Sequence, residues 1–173
     1  MPRVVLLSDA RNDAALAAAL RHLPPGSALV FRHYHLDRAA RAARLRHLAR
    51  LAAVRAIAVV PAGAGYGPAR GLTRRGRGRG ALCLATAHNL RDLARAKRAR
   101  ADAVLLSPVF ATRSHPGATT LGALRFNLLA RHAALPVIAL GGMTRRRMAR
   151  VRAHGFAAID GLAQIPRDSR KRR

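Results

Sequence analysis

The sequence predicts an α/β fold in which short buried strands alternate with helices. Two stretches carry that expectation. The first runs from Ala103 to Gly122 and opens with the apolar run Ala103 to Leu106, a strand apolar enough to be buried on both faces. Ser107-Pro108 ends it, because proline has no amide to give to a sheet. The second is Leu135 to Thr144, where the apolar run Pro136 to Leu140 leads straight into Gly141-Gly142 and Thr144 is placed to cap a helix.

Both stretches end in chemistry that suits an anion. After the first strand come Thr112, Arg113, Ser114, His115, Pro116 and Gly117. Hydroxyls, a guanidinium, an imidazole and a glycine together fit a phosphate, although a solvated loop has the same composition. After the second, a glycine pair before a helix start offers backbone amides and room for close approach.

The segments SPVFATRSHPG and PVIALGGM, with LG between them, resemble the thiamine phosphate synthase/TenI family. The resemblance is most specific from Thr86 to Met143 and thins towards both ends. It implies a (β/α)8 barrel, and the spacing of the remaining apolar runs is compatible with one. It also implies the joining of hydroxymethylpyrimidine pyrophosphate to thiazole phosphate, with magnesium held by acidic side chains.

Length and composition set the outer bounds. At 173 residues the chain is long enough for one core. Residues 1–166 are read as a single barrel domain, and the basic tail 167–173 is expected to be disordered. There are 33 basic and 7 acidic residues; all the acids are aspartate, and Lys97 and Lys171 are the only lysines. Such charge binds nucleic acid non-specifically, but no aromatic stacking motif interleaves the arginines, so compositional bias is the preferred account over an RNA partner. Cys83 stands alone in an apolar run and reads as a buried structural thiol. No apolar run is long enough to span a bilayer, and with no secretory pattern at the start the expectation is a cytoplasmic protein. Small phosphorylated substrates are the expected partners, and a homo-oligomer stays open.

Taken in order, Val4 to Ser8 is a strand ending at Asp9, and Asn12 to His22 a helix stopped by Pro24-Pro25-Gly26. Ala28 to Phe31 is the second strand, with Arg32 at its end. Barrel active sites lie at the C-terminal strand ends. The family's Gln-x-Arg-x-Lys pattern here reads Val30, Arg32 and Tyr34, so only the arginine matches. His33 and His35 flank Tyr34, and one parity alone can face the mouth. Asp37 is placed to cap a helix from Arg38 to Ala52, and Ala56 to Val60 is the third strand.

The resemblance fails in the next segment. No acid occurs between Asp37 and Asp92, where the family carries its magnesium ligands. About twenty family residues are missing, Tyr66-Gly67 is what remains of the fourth strand, and the arginine-glycine run Ala69 to Gly80 bridges the gap. Asp9 and Asp160, at the ends of the first and last strands, are the speculative replacements for the magnesium ligands.

The fifth strand is Leu82 to Ala85, followed by Thr86 in place of a substrate-contacting serine and by His88. A helix from Asn89 to Arg100 should turn Leu90, Leu93 and Ala94 inward, and one from Leu121 to His132 should bury Leu124, Leu128 and Leu129. At the family's phosphate motif Thr112 and Ser114 match and His115 replaces a lysine, with Arg113 able to supply fixed charge. Pro108 stands where the TenI-type tautomerases carry a proton-moving histidine, which counts against that activity. Phe156 to Ile159 is the last strand, and Gly161 offers an amide near the family's thiazole-phosphate serine.

The expectation is therefore a shortened (β/α)8 barrel with a degenerate fourth strand, acting as a thiamine phosphate synthase-like transferase. Arg32, Thr112 and Ser114 are the candidate catalytic groups, and Thr86, Arg113, His115, Gly141, Gly142 and Gly161 join them as candidate phosphate ligands. A non-catalytic phosphate-ligand-binding member of the same family is the alternative.

Overall fold

The computed structural model describes residues 1–72, 81–112, 117–160 and 162. Eight short strands carry the architecture: β1 Val4–Leu7, β2 Ala28–Phe31, β3 Ala58–Pro61, β4 Tyr66–Pro68, β5 Leu84–Ala87, β6 Ala103–Leu106, β7 Val137–Leu140 and β8 Gly155–Ala158. They form one sheet in the order β3-β2-β1-β8-β7-β6-β5-β4, with every pair parallel. The sheet curls into a nearly closed α/β barrel. The single bridge Ala62↔Tyr66 lies across the gap between β3 and β4, so one seam is unsealed.

Side chains alternate across the barrel wall, as the two-residue strand period requires. Val5, Leu7, Val30, Val60, Leu84, Leu105, Ile138 and Ala157 fill the lumen. Leu6, Leu29, Phe31, Ala85, Val104, Leu106, Ala139 and Phe156 face outward under the helices. Small and branched residues fill the narrow interior, which explains how a chain with so few aromatics builds a core. Cys83 is fully buried, as a structural thiol should be.

Among the described residues, five α-helices cover the wall: α1 Leu16–His22, α2 Arg38–Ala53, α3 Leu90–Arg98, α4 Gly122–Ala130 and α5 Arg145–Met148. The expected first helix is in fact a 3-10 turn, Ala10–Ala15, followed by α1. Asp9 caps that turn: its carboxylate accepts the Arg11 amide and its own amide donates to Asn12 Oδ1. Asp37, Asn89 and Thr144 cap α2, α3 and α5.

Two buried faces differ from expectation. On α4, Phe126 is the fully buried residue, while Leu124 is 75% exposed and Leu128 also faces solvent; only Leu129 of the expected three packs against the core. The leucines there lie on two stripes, and the larger aromatic takes the inward one. On α3, Leu93 and Ala96 are buried, whereas Leu90 and Ala94 are exposed.

The seam has a physical cause. A parallel crossover ordinarily needs a dozen or so residues, yet only Ala62 to Gly65 join β3 to β4. The chain makes a tight loop, with Gly63 N–H donating to Tyr66 O and Gly65 N–H to Pro61 O, both at 2.9 Å. It then starts β4 beside the end of β3 rather than alongside it. The fourth strand is degenerate, as expected, and the helix between β3 and β4 is lost outright.

Candidate functional site

The C-terminal ends of the strands surround a cavity of about 480 Å³. Arg32 from β2, Thr112 after β6, Gly141 and Gly142 after β7, and Asp160 after β8 all line it. Alternation explains Arg32: it shares the lumen-facing parity of Val30, two residues below.

Backbone packing brings the two key loops together. Val109 N–H donates to Leu140 O at 2.9 Å, and Phe110 N–H to Gly141 O at 3.0 Å. The contact is close enough to require glycine. Gly141 has φ +99°, and a Cβ there would lie 2.9 Å from Pro108 Cα. Gly142 has φ +59° and abuts the Ala111 carbonyl. Arg147 donates back to Gly142 O and stacks its guanidinium over Phe110, 5.2 Å from the ring centroid.

The other sequence candidates are placed as follows. Thr86 lies within β5 rather than after it and is not in the cavity wall. His88 does line the cavity. Its Nδ1 lies 2.8 Å from the Ser107 carbonyl, which can only accept, so Nδ1 carries a proton. Val30 is fully buried in the lumen, and Tyr34 is 70% exposed, with the Arg41 guanidinium 5.7 Å from its ring centroid. Arg113, Ser114, His115, Gly161, the run 73–80 and the tail 163–173 lie outside the described residues.

A hydrogen-bonded brace that the sequence reading missed holds Arg32. Ser8 Oγ accepts the Arg32 backbone N–H at 2.7 Å and lies 2.8 Å from His33 Nδ1. His33 Nε2 lies 2.7 Å from Asp13 Oδ1, which also accepts from Arg44 Nε at 2.8 Å. A carboxylate only accepts, so Nε2 carries a proton towards Asp13. The hydroxyl–imidazole–carboxylate order is that of a nucleophilic triad, but Ser8 is 0% exposed and sits on the outer side of the wall. His33 is likewise buried, stacked on Phe31 at 4.5 Å. The set acts as structural support. Its only forewarning in the sequence is parity: Ser8 and His33 each follow an outward-facing residue by two, Leu6 and Phe31.

The side-chain end of Arg32 is held as firmly. Its Nη2 contacts Asp9 Oδ2 at 2.7 Å and its Nε donates to Ser8 O at 3.1 Å. Asp9 Oδ1 takes Arg11 Nε at 2.9 Å, and Arg11 Nη1 stands 3.9 Å from Asp160 Oδ2. The Arg11 hydrogen bond, with the charge of Arg32, holds the Asp9 carboxyl below its ordinary value despite partial burial. Burial opposes ionisation of Asp13, but His33 and Arg44 outweigh it and the carboxyl is again held low. Burial pushes the Tyr66 phenol up, with the nearby Arg32 acting against that rise.

Magnesium, which the resemblance implies, asks for several oxygen donors in near-octahedral array. The residues present do not fit it. Both Asp9 oxygens already accept from arginine, and no group of three or more His, Cys, Asp or Glu that could hold a metal occurs among the described residues.

The family model described as thiamine monophosphate synthase (TMP-TENI) matches residues 72–165, just over half of the chain. The chain belongs to this family. It is 33% identical over 80 residues to an Aquifex aeolicus (strain VF5) protein named "Putative thiamine-phosphate synthase 2", a match covering 46% of this chain and 43% of that one. The alignment thus spans less than half the length of that relative. Among solved structures, a thiamine phosphate pyrophosphorylase from Pyrococcus furiosus superposes with a TM-score of 0.75 at 16% identity, over 93% of this chain and 87% of that one. FabK from Thermotoga maritima follows the same barrel with a TM-score of 0.60 at 16% identity, over 93% of this chain and 58% of that one. At such identities the structural likeness speaks to the fold alone.

Proposed function

We propose that the barrel mouth binds two phosphorylated substrates and joins hydroxymethylpyrimidine pyrophosphate to thiazole phosphate, forming thiamine phosphate and pyrophosphate. The observation that carries this reading is the convergence of Arg32, Thr112 and the Gly141–Gly142 turn, from three strand ends, on one cavity. Membership of the thiamine monophosphate synthase family supports the choice of substrates.

The chemistry asks little of side chains as acids or bases. The pyrimidine methylene loses its C–O bond, and the electron pair leaves with pyrophosphate. The thiazole nitrogen attacks with its own lone pair, so no proton has to be removed. Catalysis is then electrostatic and positional. Arg32 and Thr112, with Arg113, Ser114 and His115, are assigned to the pyrophosphate. The turn at Gly141 and Gly142, with Gly161, is assigned to the thiazole phosphate; Thr86, off the cavity wall, is given no role.

The test is turnover with both precursors, followed as thiamine phosphate. Arg32→Ala is expected to lower kcat/KM by about 100-fold, the usual scale for losing one preorganised electrostatic group. No product from the unaltered chain, at any metal concentration, overturns the transferase.

A second reading is a phosphate-ligand-binding protein without turnover. The buried apolar Val30 and the neutral, exposed Tyr34, standing where the family has a glutamine and a lysine for pyrophosphate, favour it. Saturable binding of thiazole phosphate with no product would select it.

A further inference from the structure

Asp160 lines the cavity, Asp9 holds the lining residue Arg32, and one guanidinium reaches both of these acids. Arg11 Nε lies 2.9 Å from Asp9 Oδ1 and Nη1 lies 3.9 Å from Asp160 Oδ2, so the side chain spans the ends of the first and last strands. Its backbone amide also donates to Asp9 Oδ1, at 3.2 Å. Asp9 Oδ2 is occupied by Arg32 at 2.7 Å. Arg11 is thus a cation shared by two carboxylates, beside the residue that anchors the candidate phosphate site.

We infer that Arg11 is the resident cation of this rim, and that the mouth binds the pyrophosphate group as the free anion rather than as its magnesium complex. The inference rests on the reading of the mouth as a phosphate site. Arg11 acts as a positioning residue: it screens Asp9 and Asp160, and so leaves the charge of Arg32 available to the ligand. A guanidinium supplies this with a fixed charge and a fork of donors that matches carboxylates. Magnesium bound to pyrophosphate removes anionic charge from the ligand and brings a second cation towards Arg11 and Arg32. It is therefore unfavourable here.

The test is calorimetric titration of inorganic pyrophosphate into the whole chain, with chelator and then with excess magnesium. Pyrophosphate is expected to bind with chelator present, and magnesium to leave the affinity unchanged or weaken it. Tightening by about tenfold or more on adding magnesium overturns the inference. Arg11→Ala, at a side chain 42% exposed, is expected to weaken binding in chelator and to make added magnesium favourable; Arg11→Lys should restore the original response. An alanine variant that binds as the unaltered chain does, in both conditions, also overturns the role of Arg11.

The outcomes separate this inference from the proposed transferase. Metal-free pyrophosphate binding without turnover removes the transferase and leaves the inference standing. Binding only with magnesium, together with turnover, does the reverse. No pyrophosphate binding in either condition removes the phosphate reading on which the inference rests.

Discussion

The β6–β7 quarter and the β3–β4 seam use the same kind of strand and reach different results. At β6 and β7, three register pairs join the strands, the loops beyond them exchange further hydrogen bonds, and α4 lays Phe126 over the outer face. At the seam, one bridge spans the gap, β4 is three residues long and no helix lies between the strands. Where the strands are fully paired and covered, their ends can hold two loops in fixed contact, and the cavity is built there. Where the crossover is lost, the chain contributes only wall. A barrel can therefore dispense with part of its cover if the missing part is remote from the loops that line the cavity.

The largest test of that contrast is Phe126→Ala. Emptying a fully buried aromatic site should cost about 3–5 kcal/mol in urea unfolding, while Leu124→Ala, on the exposed face of the same helix, should stay within about 0.5 kcal/mol. Equal effects would mean that the leucine face, not Phe126, is the covered one.

Gly141→Ala comes next. Left-handed backbone at a non-glycine residue costs about 1–3 kcal/mol, and the added Cβ would also meet Pro108. Loss of phosphate-ligand binding should exceed the loss of stability. At the seam, Gly65→Ala has ordinary backbone but would bring its Cβ to 2.8 Å from both the Leu82 carbonyl and Val60 Cγ1. Overpacking of this kind costs about 1–3 kcal/mol. That variant should lose stability and retain ligand binding, which is the sharpest form of the comparison.

The acid response should report on the brace and rim rather than on the seam. Asp9 and Asp13 have carboxyls held below their ordinary values. Their contribution to stability is complete above about pH 3.9, the unperturbed aspartate value, and is lost as pH falls through the lower folded values. Asp13→Asn should flatten the acid limb of unfolding midpoint against pH. The smallest expected effect is in amide exchange: Ala62 and Tyr66 should exchange faster than Leu105 and Ile138, because local opening is easiest where pairing is sparse.

Much of the fold was legible because strand ends carry local signals. Pro108 after β6 and the glycine pair after β7 mark boundaries that depend on backbone chemistry alone, and β2 and β6 fall where the apolar runs place them. Helix faces were less legible. On α4 the leucines supply two plausible stripes, and only packing against the wall selects the one containing Phe126.

By itself, the sequence determined the alternation of strands and helices, the shortened fourth strand, the lone buried thiol, and the placing of Arg32, Thr112, Gly141 and Gly142 at strand ends. Each of these follows from residues close together in the chain. Only the tertiary structure decided that Asp13, His33 and Ser8 brace Arg32, that Arg11 joins Asp9 to Asp160, and that the seam falls between β3 and β4. His33 is 25 residues from Ser8, and 20 from Asp13. Such partners meet through the curvature of the sheet, which sets adjacent strand ends side by side whatever their separation in the chain.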